Sequence, residues 1–156
     1  MIRAKRPVAF WVIVIFLAIT LVFLLMGQTM AVINYDFAVQ LGLQESVNQI
    51  SEFGVQVGRA FGVGDTLVYM PVMVISLVGL FLRKHWALLT TAAVMGISAY
   101  WAITCIFLLI FLKGVPDYYL APGLEYWLLM GSYVIFGVWG LLYLIFRGDR
   151  LIKRGT

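Results

Sequence analysis

Four stretches of this chain, residues 8–27, 66–82, 86–112 and 126–146, are apolar on every side and contain no charged residue. No soluble domain of this length buries that much apolar surface, so the solvent they need is a bilayer. A helix rising ~1.5 Å per residue crosses a hydrocarbon core of ~30 Å with about 20 residues. Lipid cannot satisfy exposed backbone groups, so each stretch is expected to be a helix. The apolar–polar alternation of a transmembrane barrel strand is missing. Composition agrees: 63% of residues are hydrophobic and 12% charged, against roughly half and a quarter in soluble domains. The predicted fold is all-α, a single membrane domain over 1–156 built as a polytopic four-helix bundle.

The charges give the topology. Arg3, Lys5 and Arg6 precede the first span, Arg83 and Lys84 join the second to the third, and Arg147, Arg150, Lys153 and Arg154 follow the fourth. In a four-span arrangement these nine share one side, and only Arg59 and Lys113 fall on the other. Cytoplasmic loops concentrate Lys and Arg, so both termini are expected in the cytoplasm. Asp36, Glu45, Glu52, Asp65, Asp117 and Glu125 lie on the opposite, outer side. The net charge of +4 is then topological and calls for no nucleic acid. The first apolar run exceeds the 7–15 residues typical of a signal peptide, so it is expected to be a retained helix.

The outer segment 28–65 is long for a plain connection. Glu45, Gln49, Glu52, Gln56 and Arg59 form a polar stripe at helical spacing, with Val47, Ile50, Val57 and Phe61 on the other side. This predicts an amphipathic helix over 44–61 in the first extracytoplasmic loop, lying as a cap on the bundle. Gly54, Gly58 and Gly62 recur at four-residue intervals. Each costs an isolated helix about 1 kcal/mol relative to Ala, which makes sense where another backbone approaches, in a partner membrane protein or in self-association. Gly62-Val63-Gly64 is expected to end this helix, with Asp65 as N-cap of the second span and Pro71 kinking that span's outer end. The second outer loop, 113–125, is rich in Pro, Gly and aromatics. Tyr118, Tyr119, Tyr126 and Trp127 suit an interfacial belt, and Pro122 suits the first turn of the fourth span.

Chemistry-bearing residues are sparse. Cys105 is the lone cysteine and His85 the lone histidine, so neither a disulfide nor a metal site is expected. No cofactor motif and no catalytic constellation is present. The absence of ionisable residues deep in any predicted span disfavours a pump or proton-coupled antiporter. The third span is the most polar: Thr91, Ser98 and Cys105 recur every seven residues, and Tyr100 and Trp101 sit near its middle. With Tyr69 on the second span and Ser132 and Tyr133 on the fourth, Tyr100 and Trp101 offer aromatic walls and hydroxyls for an apolar guest such as a membrane lipid. Asp65, Asp117 and Glu125 would stand at the mouth and select a neutral or cationic head group. The same residues serve equally well as interhelical packing.

The runs Phe61-Gly62-Val63-Gly64-Asp65-Thr66-Leu67-Val68-Tyr69-Met70-Pro71 and Ala99-Tyr100-Trp101 resemble segments of small, uncharacterised four-span membrane proteins of prokaryotes. That resemblance implies a plasma (inner) membrane location and no particular activity. The loop layout is similar to that of claudins and tetraspanins, without their extracellular Trp and Cys patterns. The expected function is non-catalytic: binding a partner membrane protein or a lipid-like molecule at the outer side. An oligomeric small channel or transporter, or an enzyme using the outer carboxylates on a lipid-soluble substrate, are the alternatives.

Overall fold

The computed structural model describes residues 6–152. Arg3, Lys5, Lys153 and Arg154, four of the residues behind the predicted orientation, lie outside the described residues. All described regular structure is helical: α1 Val8–Ile33, α2 Tyr35–Gln40, α3 Val47–Phe81, α4 Trp86–Leu112, α5 Leu124–Arg147 and α6 Asp149–Ile152. Four of these, α1, α3, α4 and α5, are long and apolar enough to cross a membrane.

Three of the four are longer than the sequence predicts, α5 by only three residues and the first two by more. The first span continues past Gly27 to Ile33, passing through a widened, π-type turn at Leu25–Thr29. The predicted break at 62–65 does not occur: α3 passes through those residues into the second span, and its break lies earlier, at a kink at Ser51. Gly62 explains the continuation. A Cβ there would lie 2.7 Å from the backbone oxygen of Gln28 and 3.0 Å from Val32 Cγ2. The glycine therefore serves close contact with α1, and that contact offsets its poor helix propensity. Asp65 is correspondingly not an N-cap. Its backbone is helical (φ −63°, ψ −43°) and it lies inside the run. The segment expected to form a cap is thus mostly the C-terminal end of α1 and the N-terminal part of α3, joined through α2.

Pro71 acts on the same stretch. It supplies no N–H, and its ring excludes the carbonyl four residues back. The helix absorbs this by widening at Asp65–Tyr69, where the Met70 amide bonds the Asp65 carbonyl. At the start of α3 the Ser46 amide donates to Gln49 Oε1 at 2.8 Å, the reciprocal half of a capping box. Ser51 then departs from helical geometry (φ 62°, ψ 169°). The carbonyl of Gln49 accepts instead from the Tyr119 amide at 2.7 Å, tying the second outer loop to the first. At α5, Gly123 occupies the N-cap position, so Pro122 precedes the helix rather than sitting in its first turn.

The long helices pack in chain order, α1 on α3, α3 on α4, and α4 most extensively on α5. Gly137 makes the last contact close: a Cβ there would be 2.8 Å from the Ala99 nitrogen and 2.9 Å from the Met95 oxygen. Phe10, Ile13, Leu17, Met73, Leu80, Val94 and Met95 form the main core. At one end the Arg6 guanidinium lies 3.9 Å from the centre of the Phe10 ring and donates to the carbonyls of Leu80 (3.3 Å) and Phe81 (2.8 Å). Cations suit these terminal carbonyls of α3. Leu151 and Ile152 of α6 fold back into the same core.

Candidate functional site

The chain-order packing leaves α1 and α5 without an extensive contact between them. They meet through Phe16, whose ring contacts Tyr133 and stacks on Phe136, each at 5.4 Å between centroids. Beside this contact a lateral groove of about 330 Å³ runs between them. Its apolar wall comes from Ile15, Ile19 and Phe23 of α1 and Leu129 and Phe136 of α5. Ile15, Ile19 and Phe23 share one stripe because i, i+4 and i+8 positions lie on one helix face. Thr20, Ser132 and Tyr133 supply the polar atoms of the lining. The Ser132 hydroxyl is already used, donating to the Leu129 carbonyl at 2.7 Å.

Inward of Tyr133 the structure holds a polar interior in the half of the molecule away from Arg6. The Tyr69 hydroxyl and Ser98 Oγ are hydrogen-bonded. Ser98 Oγ spends its proton on the Val94 carbonyl at 2.9 Å, so Tyr69 is the donor between them. Thr29 and Thr66 hydroxyls are 3.0 Å apart across the α1–α3 contact, and Thr29 also reaches Met70 Sδ at 3.4 Å. Asp65 is buried, 8% exposed, and its charge lies within electrostatic reach of Tyr69, Tyr133 and Cys105. Its Oδ2 has no hydrogen-bond partner, and neither has the buried Oε1 of Gln28. Asp65, expected to cap the outer end of the second span, is instead a buried carboxylate within the run of α3.

At the outer loops, burial first and the Glu45 charge second push the Tyr35 hydroxyl up to about 12. It stays a phenol and donates to the Glu45 backbone carbonyl at 2.9 Å. Burial raises the Glu45 carboxyl, with a backbone hydrogen bond opposing the shift. Tyr118 is raised by burial, then by Glu45 and Cys105.

The predicted site residues divide into three groups. Asp65, Tyr69 and Tyr133 come together in the polar interior, and the Trp101 ring lies 5.8 Å from that of Tyr133. Ser132 lines the groove with Tyr133. Tyr100 points outward, 71% exposed, and Asp117 and Glu125 are exposed on the second loop and the first turn of α5. The three carboxylates thus do not share one mouth, and the groove lies between α1 and α5 rather than among α3, α4 and α5. Of the three glycines, Gly62 meets a backbone of its own chain. Gly58 has only the ends of Gln44 and Tyr35 within ordinary contact, and Gly54 faces Ile50 of its own helix.

Phe16, Thr20, Gln28, Thr29 and Thr66 belong to these sites without being singled out by the sequence. Ser98 was signalled by the seven-residue repeat on the third span. A single Thr20 or Gln28 in a long apolar run has no period to reveal it. Among the described residues no three His, Cys, Asp or Glu group as metal ligands. No protein-family model, curated protein or solved structure matches the chain.

Proposed function

We propose that this chain is a non-catalytic integral membrane protein of a prokaryotic plasma membrane that holds one lipid-like chain in the groove between α1 and α5. Both termini are read as cytoplasmic and the 113–125 loop as extracytoplasmic. The observation that carries the reading is the groove itself. It opens sideways, where α1 and α5 would face lipid, and its volume of about 330 Å³ falls at the small end of the ~300–1,000 Å³ typical of ligand sites. An apolar wall with a few hydroxyls suits an acyl or isoprenoid chain carrying few polar atoms.

Head-group preference follows from α5. Glu125, Leu129, Ser132 and Phe136 are spaced i, +4, +7 and +11, one helix face. Glu125 therefore stands one turn outside the groove on the groove's own side. Its charge favours a neutral or cationic head group over a phosphate.

Native mass spectrometry of protein purified in mild detergent tests this. The wild type is expected to carry one lipid-mass adduct. Ser132→Phe, which fills the groove, is expected to lose it while melting as the wild type does. Tyr100→Ala, on the outward face, is expected to keep it. A wild type without an adduct, or a Ser132→Phe variant that retains one, refutes the reading.

A further inference from the structure

The groove reading leaves Asp65 and Gln28 without a role. Both lie where a membrane-crossing helix departs from regular bonding: Gln28 in the widened turn Leu25–Thr29, Asp65 in the widened turn Asp65–Tyr69. These two turns face each other, as the Thr29–Thr66 hydroxyl contact of 3.0 Å and the seating of Gly62 on the Gln28 backbone require. Widened turns of this kind are frequent at functional sites, and Pro71 accounts for the shape of the second without using its free acceptors. Each presents a buried oxygen acceptor with no donor, Gln28 Oε1 and Asp65 Oδ2. A third acceptor follows from the chain chemistry. The Met70 amide is taken by the Asp65 carbonyl and Pro71 has no N–H, so the Thr66 carbonyl loses the donors that a regular or a widened helix would give it.

Asp65 makes no ion pair among the described residues, and the groups around it, Tyr69, Tyr133 and Cys105, carry no positive charge. A carboxylate in an apolar interior must either take up a proton or gain a compensating cation, because an uncompensated buried charge is very costly. All the unsatisfied acceptors are hard oxygens, the set that takes alkali and alkaline-earth cations rather than transition metals. One carboxylate neutralises one positive charge, whereas a divalent ion would leave a net charge buried. Irregular helical turns with freed carbonyls are also where membrane proteins coordinate sodium.

We propose that the facing widened turns of α1 and α3 form a binding site for one monovalent metal cation of the sodium type. Asp65 is its charged ligand. The Gln28 side-chain carbonyl is a neutral ligand, and the Thr29 and Thr66 hydroxyls complete the polar shell. The site is separate from the lateral groove, and either assignment can fail without the other.

Thermal unfolding of the full chain in detergent, at fixed pH and ionic strength, tests it as N-methylglucamine chloride is exchanged for sodium chloride. Ligand binding to the folded state raises the melting temperature in a saturable way, and that is expected of the wild type. Asp65→Asn is expected to melt at or above the wild type without sodium, having lost a buried charge, and to show no sodium response. Gln28→Leu is expected to raise the half-saturating sodium concentration about tenfold or more, and it carries the test if Asp65→Asn does not fold. Thr91→Val, on the middle of α4, is expected to keep the full response. A wild type with the same melting curve in both salts overturns the proposal. So does stabilisation that, when the exchange is repeated at several pH values, follows proton concentration alone, which would mean that Asp65 is simply a protonated acid.

Discussion

Glu45 shows how one side chain ties stability to pH in this molecule. It sits where the outer segment turns into α3, beneath the second loop, and desolvation raises its carboxyl above the ordinary value of 4.5. The folded state therefore holds the proton more tightly than the unfolded chain does. The stabilising contribution of the neutral acid is complete below 4.5 and is lost as pH rises through the higher folded value. Glu45→Gln keeps the shape and removes the titration. Its melting temperature relative to wild type is expected to climb as pH is raised from about 4 to about 7. A difference between the two proteins that stays constant over that range would sink the argument. The pattern of residues in the sequence misplaces this group. Glu45 shares a polar stripe with Gln49 and Glu52, which predicts a solvated helix face, but it lies before the helix and under a loop that no local pattern connects to it.

The same division between local and distant causes recurs among the helices. α4 and α5 are legible because their uncharged runs match the span a bilayer demands, and the structure gives 86–112 unchanged and extends the other by two residues at its start and one at its end. The Ser46-Val47-Asn48-Gln49 spacing marks the start of α3 as a capping box, three residues inside the predicted start at Gln44. The continuation of α3 through Gly62 and Gly64 was not legible, since glycine-rich sequence ends an isolated helix. The Gln28 backbone that Gly62 meets belongs to another helix. Glycine positions should accordingly separate by contact and not by composition. Gly137→Ala places a methyl against the backbone of Met95 and Ala99 and is expected to destabilise by about 1–3 kcal/mol, the cost of overpacking. Gly131, on the same helix, has nothing within 4 Å of its added Cβ. Gly131→Ala is expected to be neutral, or stabilising by up to about 1 kcal/mol through helix propensity. Equal melting temperatures for the two variants would remove the close α4–α5 approach from the account.

At the scale of the whole molecule, apolar side chains face outward as readily as inward. Leu89, Tyr100, Phe111 and Phe146 are each more than 70% exposed, which is stable only if something other than water covers them. Charge then decides which end is which. Arg6 is bound to the end of α3, so the chain start, the Arg83–Lys84 turn and the Arg147–Arg150 segment share one end. Pro116 lies at the other, beyond the 27 residues of α4, or ~40 Å at ~1.5 Å per residue. Both Pro116 and Asp149 are exposed, so cysteines there report accessibility rather than burial. In a Cys105→Ser background, a membrane-impermeant thiol reagent applied to intact cells is expected to label Pro116→Cys, and to label Asp149→Cys only after permeabilisation. The reverse pattern would put the basic end outside, contrary to the bias of Lys and Arg toward the cytoplasm. It would also turn the Glu125 mouth of the groove and the level of Asp65 toward the cytoplasm. The groove and the cation site would keep their internal geometry in that case, but the lipid leaflet and the solution supplying them would change sides. The labelling experiment therefore fixes the compartment in which both proposed ligands are to be sought.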